Sequence, residues 1–209
     1  MKTIVFGATG KIGVPAVQQI LDDGHEVTAF ARNPGKLSIN HPKLTLHAGD
    51  ATNAAAVAAA IKGHDAVVIT LGSGMSRKSV IRSVGTMNVI QGMQAHGVDR
   101  LICQSTLGAH ESWGNLNFFW KRIMFGFLLR PIFLDHELQE KLVQASGLNW
   151  TIVRPSAFAD GPATGAYQEG FAPTARNLSL KITRADIAGF LSQQISDLRY
   201  ARRAVAISN

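Results

Sequence analysis

Apolar runs alternate with amphipathic stretches along most of the chain, and that rhythm predicts a repeated strand and helix pattern. Thr3 to Phe6 is a short apolar run. Ile12, Ala16, Val17, Ile20 and Leu21 follow at helical spacing, with Pro15 tolerable in the first turn and Gly24 placed to end the helix. Glu26 to Ala31 reads as a second strand, completing a strand-helix-strand unit of about thirty residues. The alternation continues with a strand over Lys43 to His47, an alanine-rich helix over Ala54 to Lys62 closed by Gly63, and a strand over Ala66 to Leu71. Ser79 to Ala95 is a long helix ended by His96-Gly97, in which polar Asn88 is expected to hydrogen-bond a neighbouring loop. Arg100 to Gln104 is the fifth strand, Leu134 to Ala145 a helix ended by Ser146-Gly147, and Trp150 to Val153 the sixth strand. Thr183 and Asp186 have capping-box spacing for a helix through Ile195, and Ala204 to Ile207 closes as a last strand. The pattern predicts an α/β fold, a doubly wound parallel sheet in a single domain over 1–209.

Two stretches break the rhythm and predict a small lobe on one side of the sheet, about 107–135 and 155–183. Asn117 to Phe133 is aromatic and apolar but interrupted by Lys121, Arg122, Gly126 and Arg130, too short and too charged for a good membrane span. It reads as a core helix, a hydrophobic lid over a substrate, or a surface meeting another subunit or a bilayer face, with a mixture of the first two favoured. Residues 156–178, rich in Gly, Ala and Pro, read as a loop.

Composition changes this picture little. A chain of 209 residues that is 46% hydrophobic and 17% charged suits one globular domain. The lone Cys103 lies in an apolar run, so no disulfide forms within the chain and a buried, inert thiol is expected. A strand starting just after Met1-Lys2 leaves no room for a signal peptide, and the expected location is the cytoplasm. The net charge of +7 is scattered rather than gathered in runs, which argues against nucleic acid and fits an anionic cofactor or substrate.

The chemistry begins at Gly7-Ala8-Thr9-Gly10-Lys11-Ile12-Gly13, between a strand and a helix. Glycines spaced G-x-x-G-x-x-G, one residue off the commoner G-x-G-x-x-G, permit a tight turn, close approach of a pyrophosphate and packing of helix on strand. A Walker phosphate loop is excluded, since Ile12 follows Gly10-Lys11 where Ser or Thr is required. At the tip of the second strand, where an NAD site carries an acid for the ribose 2′-hydroxyl, the chain has Arg32 and Asn33 instead, which favours the 2′-phosphate of NADP(H). Asp50 and Ala51 lie at the end of the third strand, where Asp50 reads either as an acceptor for an adenine amino group or as a helix cap. Thr70, Leu71 and Gly72 form a second glycine-containing turn at the carboxyl edge. The fifth strand delivers Ser105 and Thr106 to the same edge, as candidates to touch a reacting group. The expected cofactor set is therefore Gly7, Thr9, Gly10, Lys11, Ile12, Gly13, Arg32, Asn33, Asp50, Ala51, Thr70, Leu71, Gly72 and Ser105, with Pro155 after the sixth strand. No metal site stands out, because His136-Glu137-Leu138-Gln139-Glu140 lacks the second histidine of a zinc helix.

The ordered motifs Gly7 to Gly13, Arg32-Asn33-Pro34, Gly49-Asp50, Ser105-Thr106, Ser146 to Pro155 and Thr164 to Tyr167 resemble an atypical short-chain dehydrogenase/reductase. The likeness is to the NAD(P)-binding group that includes NmrA-like proteins and the flavin reductase/biliverdin reductase B family. It implies a Rossmann-type fold and hydride transfer from NADPH to a flavin, quinone or other flat, tetrapyrrole-like acceptor, by a monomer or homo-oligomer. It also implies that Ser105 lies by the nicotinamide. The histidine that the reductase branch has after its sixth strand is replaced here by Ala157. The Tyr-x-x-x-Lys pair of ordinary short-chain dehydrogenases is absent, with Ile132 and His136 in the comparable places. His136 is then a candidate proton source near neutral pH, against the plainer reading of a helix-surface residue. The rival to an enzyme is an NmrA-like sensor that binds NADP(H) without turnover.

Overall fold

The structure, a computed structural model, describes residues 1–74, 76 and 80–209. Strands β1 (Lys2–Phe6), β2 (Glu26–Ala31), β3 (Leu44–Ala48), β4 (Ala66–Ile69), β5 (Arg100–Gln104) and β6 (Asn149–Pro155) form a parallel sheet in the order β3-β2-β1-β4-β5-β6. This is the doubly wound order of a Rossmann-type fold. Strand β10 (Arg203–Ser208) extends the sheet in parallel beyond β6, and the two-residue β8 (Gln168–Glu169) adds an antiparallel edge.

Successive side chains of a strand point to opposite faces, so two cores form. Val5, Ala29, Val68, Ile102, Val153 and Val205 face helices α1 (Gly13–Asp22) and α5 (Arg184–Gln193), where Val17, Ile20 and Phe190 meet them. Ile4, Phe6, Val67, Ile69, Leu101 and Cys103 face α2 (Ala54–Ile61), α3 (Ile81–His96) and α4 (Arg130–Ala145) through Val57, Ile61, Val89, Met93 and Val143. Burial of each large side chain stabilises the fold by about 1.5–3 kcal/mol. Cys103 is fully buried, and burial followed by the charge of Glu140 pushes its thiol pKa well up, so it is inert as expected.

Element ends differ from the sequence reading in instructive ways. Helix α4 starts at Arg130, before the expected Leu134, because Pro131 sits in the first turn where its missing N–H costs nothing. Helix α5 ends at Gln193 rather than Ile195, and β4 ends at Ile69, where the Thr70 hydroxyl donates to the Phe6 carbonyl at 3.1 Å. Helix α3 begins at Ile81, and the expected start at Ser79 lies outside the described residues. The presumed loop 156–178 carries β7 (Ala157–Ala159), which pairs in parallel with β9 (Lys181–Thr183) in a second, two-stranded sheet. Three residues of alternation are too few to announce such a strand.

The segment 107–135 holds a 3₁₀ turn over His110–Asn115, and its aromatic stretch folds as a π-helix over Phe119–Leu128 that runs on into α4. A third cluster of Leu107, Leu116, Phe125, Phe133 and Leu180 gathers there, with the Phe125 and Phe133 rings stacked at 4.7 Å. Only part of the segment is core, since Phe118 and Phe127 are exposed.

Candidate active site

A cleft of about 1020 Å³ follows the carboxyl ends of the strands from the glycine turn to the aromatic lobe. That edge is where open parallel sheets bind ligands. The turn is built as its glycines require. Gly7 adopts a φ of +88°, and a Cβ there would lie 2.7 Å from the Thr70 carbonyl oxygen; a Cβ on Gly13 would lie 2.1 Å from the Gly7 oxygen. Gly13 thus packs helix on turn and does not line the cleft, whereas Gly7, Thr9, Gly10, Lys11 and Ile12 do.

The helix ends distinguish where an anion can sit. Helix α2 is capped by Asn53, whose side chain accepts from the Ala56 N–H, and α3 by Asp135, whose carboxylate accepts from the N–H groups of Arg82 and Ser83, both at 3.1 Å. Helix α1 has Ile12 at its N-cap and no side-chain cap. In its first turn the Val14 N–H donates to the Gly10 carbonyl at 3.0 Å and Pro15 has no N–H. The donors left for a phosphate are the Lys11 and Ile12 amides of the turn, which have no backbone partner among the described residues and belong to residues that line the cleft.

Arg32, Asp50, Ala51, Thr70, Leu71 and Gly72 line the same end of the cleft. Asn33 does not; it starts the one-turn 3₁₀ helix Pro34–Lys36 instead. Asp50 caps no helix, since Asn53 has that duty. Its carboxylate accepts from the backbone N–H and hydroxyl of Thr52 at 2.9 and 2.8 Å, and those two bonds hold its pKa below the usual range. Asn88 donates to the Ala51 carbonyl at 2.9 Å, the loop contact expected of it.

Ser105, Thr106, His136 and Pro155 all line the deeper part of the cleft. Ser105 is fully buried, and its hydroxyl donates to Glu140 Oε1 at 2.6 Å. Glu140, also fully buried, is gripped by Arg154, with Nη2 at 2.6 Å from Oε2 and Nε at 3.0 Å from Oε1. Arg154 Nη1 reaches Glu111 Oε1 at 2.5 Å. Burial opposes the charge on Arg154, but its hydrogen bonds to Glu140 and Glu111 prevail and raise its pKa. The imidazole of His110, held at a left-handed φ of +50°, stands 3.8 Å from Glu140 Oε2.

His136 departs from both readings of the sequence. It is buried rather than on the surface, and burial, aided by the charge of Arg82, pushes its pKa down to about 3. A pKa so far below the usual value keeps the imidazole neutral at pH 7, which argues against an imidazolium acid. Ile132, the other position of the missing pair, lines the cleft one turn away.

Sequence reasoning passed over several cleft residues. Arg82 reaches the cleft from α3, pairing with Asp135 at 3.8 Å and donating to Ser73 at 3.4 Å. Ser156 follows Pro155, is buried, and has no hydrogen-bond partner for its hydroxyl among the described residues. Arg184 lines the lobe side and pairs with Asp160. Ser156 offers no signal in a sequence, whereas Glu140 stands one helical turn beyond His136 and shares its face, a spacing that could have raised it. Among the described residues no group of His, Cys, Asp or Glu is arranged to hold a metal ion.

A family model described as NAD(P)H-binding matches residues 7–198. The chain belongs to that family. Across 180 residues it is 30% identical to a protein of Bacillus subtilis named as an uncharacterized sugar epimerase, covering 79% of this chain and 76% of that one. A solved structure described as an anaerobillin reductase of Escherichia coli superposes with a TM-score of 0.79 at 25% identity, over 99% of this chain and 96% of that one. An oxidoreductase of Lactococcus lactis shares the fold, with a TM-score of 0.83 at 20% identity over 100% of this chain and 91% of that one. These likenesses agree with an atypical short-chain dehydrogenase/reductase. The uncapped α1 and the glycine cradle fit the nicotinamide dinucleotide that the family binds.

Proposed function

We propose that the protein is an NADPH-dependent reductase acting on a flat conjugated acceptor such as a flavin, a quinone or an open-chain tetrapyrrole. One continuous cleft carries this reading, joining the uncapped α1 and Arg32 at one end to aromatic walls at the other. The NADP form is favoured because Arg32 offers a guanidinium to a 2′-phosphate and no carboxylate takes the place of the ribose-binding acid. The reductase named among the solved relatives supports a tetrapyrrole-like acceptor.

When bound, the nicotinamide supplies two electrons and one proton as hydride. The chain's own part is to bind and orient. The turn from Gly7 to Ile12 would hold the pyrophosphate, while Ser105, Thr106 and Ser156 line the part of the cleft where nicotinamide and acceptor would meet. Trp120, Phe125 and Leu129 wall the acceptor side and exclude water. Neither His136, held neutral, nor Ser105, whose hydroxyl donates to Glu140, is set to protonate a simple ketone. A reduced flavin, quinone or tetrapyrrole takes its remaining proton from water, so positioning suffices.

The same spent hydroxyl favours a second reading, a sensor that binds NADP(H) without turnover. Stopped-flow mixing of the NADPH-loaded protein with FMN, FAD, quinones and biliverdin separates the two. The reductase reading expects NADPH oxidation above the protein-free rate for at least one acceptor; background rates for all of them would leave the sensor.

A further inference from the structure

The π-helix Phe119–Leu128 has two unlike sides. Bonding from residue i to i+5, as between the Leu129 N–H and the Met124 carbonyl, brings residues four and five apart onto one side. Trp120, Phe125 and Leu129 face the cleft by that spacing. Phe118, Phe119, Ile123, Phe127 and Leu128 are left outside, and Phe118 and Phe127 are 73% and 79% exposed. Scattered exposed apolar residues are ordinary, but three phenylalanines on one short segment are not. Helix α4 adds exposed Leu134 and Leu138 immediately afterwards.

The charges around this face are mostly of one sign. From Ser112 to Leu134 there is no Asp or Glu, whereas Lys121, Arg122 and Arg130 lie within it; both arginines are exposed. Glu137, on the following helix, is half-buried. A second copy docked on this face about a twofold axis would gather Lys121, Arg122 and Arg130 of both copies, more cations than the half-buried Glu137 of each can pair. An anionic bilayer surface meets both demands, because phenylalanines enter the headgroup boundary while arginines stay at the phosphates.

We infer that the outer face of the π-helix seats the protein peripherally on an anionic lipid surface. The side that walls the cleft and the side that meets lipid belong to one ten-residue helix. No described helix is long and apolar enough to cross a membrane, so the attachment is interfacial and reversible.

Co-sedimentation with vesicles of phosphatidylcholine alone, and of equal parts phosphatidylcholine and phosphatidylglycerol, tests the inference. The protein is expected to sediment with the mixed vesicles at least about tenfold more than with the neutral ones, and to be released by high salt. The pairs Phe118→Ser with Phe127→Ser and Arg122→Glu with Arg130→Glu are each expected to abolish that binding while nucleotide binding is retained, since none of the four lines the cleft. Absence of sedimentation with the mixed vesicles overturns the inference without reference to any variant. So does sedimentation that both variant pairs leave intact, or a dimer that depends on Phe118 and Phe127 in a protein that ignores vesicles.

Discussion

The Ser105 hydroxyl donates to Glu140 at 2.6 Å, and both side chains are wholly withdrawn from solvent. Arg154, also buried, holds the other side of the same carboxylate. Glu140→Ala leaves that guanidinium with Glu111 as its remaining carboxylate partner, on a side chain that is 59% exposed. Breaking a buried pair from one side costs about 3–5 kcal/mol, and urea unfolding is expected to show a loss of that order. Ser105→Ala keeps the ion pair, so its loss of stability is expected to be smaller while turnover falls. Equal stability losses for both variants would mean that the ion pair adds nothing beyond the hydroxyl.

Arg32 is expected to decide between nucleotides. Arg32→Asp replaces a donor for the 2′-phosphate by a group that repels it, and should weaken NADPH binding by about 1–3 kcal/mol, the scale of a charged hydrogen bond. NADH affinity should stay nearly unchanged. Fluorescence titration of parent and variant with both nucleotides checks this, and identical curves for the two nucleotides in the parent would contradict the assignment.

The α/β alternation and the glycine turn were legible because each rests on local chemistry: apolar periodicity, a helix stop at Gly24 or Gly97, and backbone room at Gly7 and Gly13. The place of Arg32 at the cleft was legible for the same reason, being fixed by its distance from the turn. The buried Glu140, Arg154 and Glu111 network was not, because its members come from a helix, a strand and a 3₁₀ turn that meet only in the folded chain. The burial of His136 was not legible, because it depends on α3 packing against α4, the neighbour that carries Arg82. The π-helix likewise followed no helical period that a sequence search would weigh.

Stability should fall on mild acidification. An unfolded histidine takes up a proton near pH 6.5, but His136 in the fold resists it until about pH 3. Between those values the unfolded chain binds more protons, so stability present above pH 6.5 is lost as pH falls toward 3. His25 and His64, both pulled down chiefly by burial, act in the same direction. His136→Gln is expected to flatten the dependence of the urea midpoint between pH 7 and 5.5, a window above the ordinary carboxylate range. An unaltered slope in the variant would show that the other two histidines account for it.

Ser156 separates stability from function most cleanly. Ser156 lines the cleft, and its buried hydroxyl has no partner among the described residues, so the fold bears a desolvation cost with no internal return. Removing such a group is nearly neutral or stabilising, whereas removing one that is hydrogen-bonded costs about 0.5–1.5 kcal/mol. Ser156→Ala should therefore leave the melting temperature unchanged or raise it. If the hydroxyl is kept to meet nicotinamide or acceptor, the same variant should bind NADPH or turn over the acceptor several-fold less well, losing about 0.5–1.5 kcal/mol of binding or transition-state energy. Calorimetry and nucleotide titration on one preparation measure both. A variant that is no less stable and also undiminished in binding and turnover would remove Ser156 from the site.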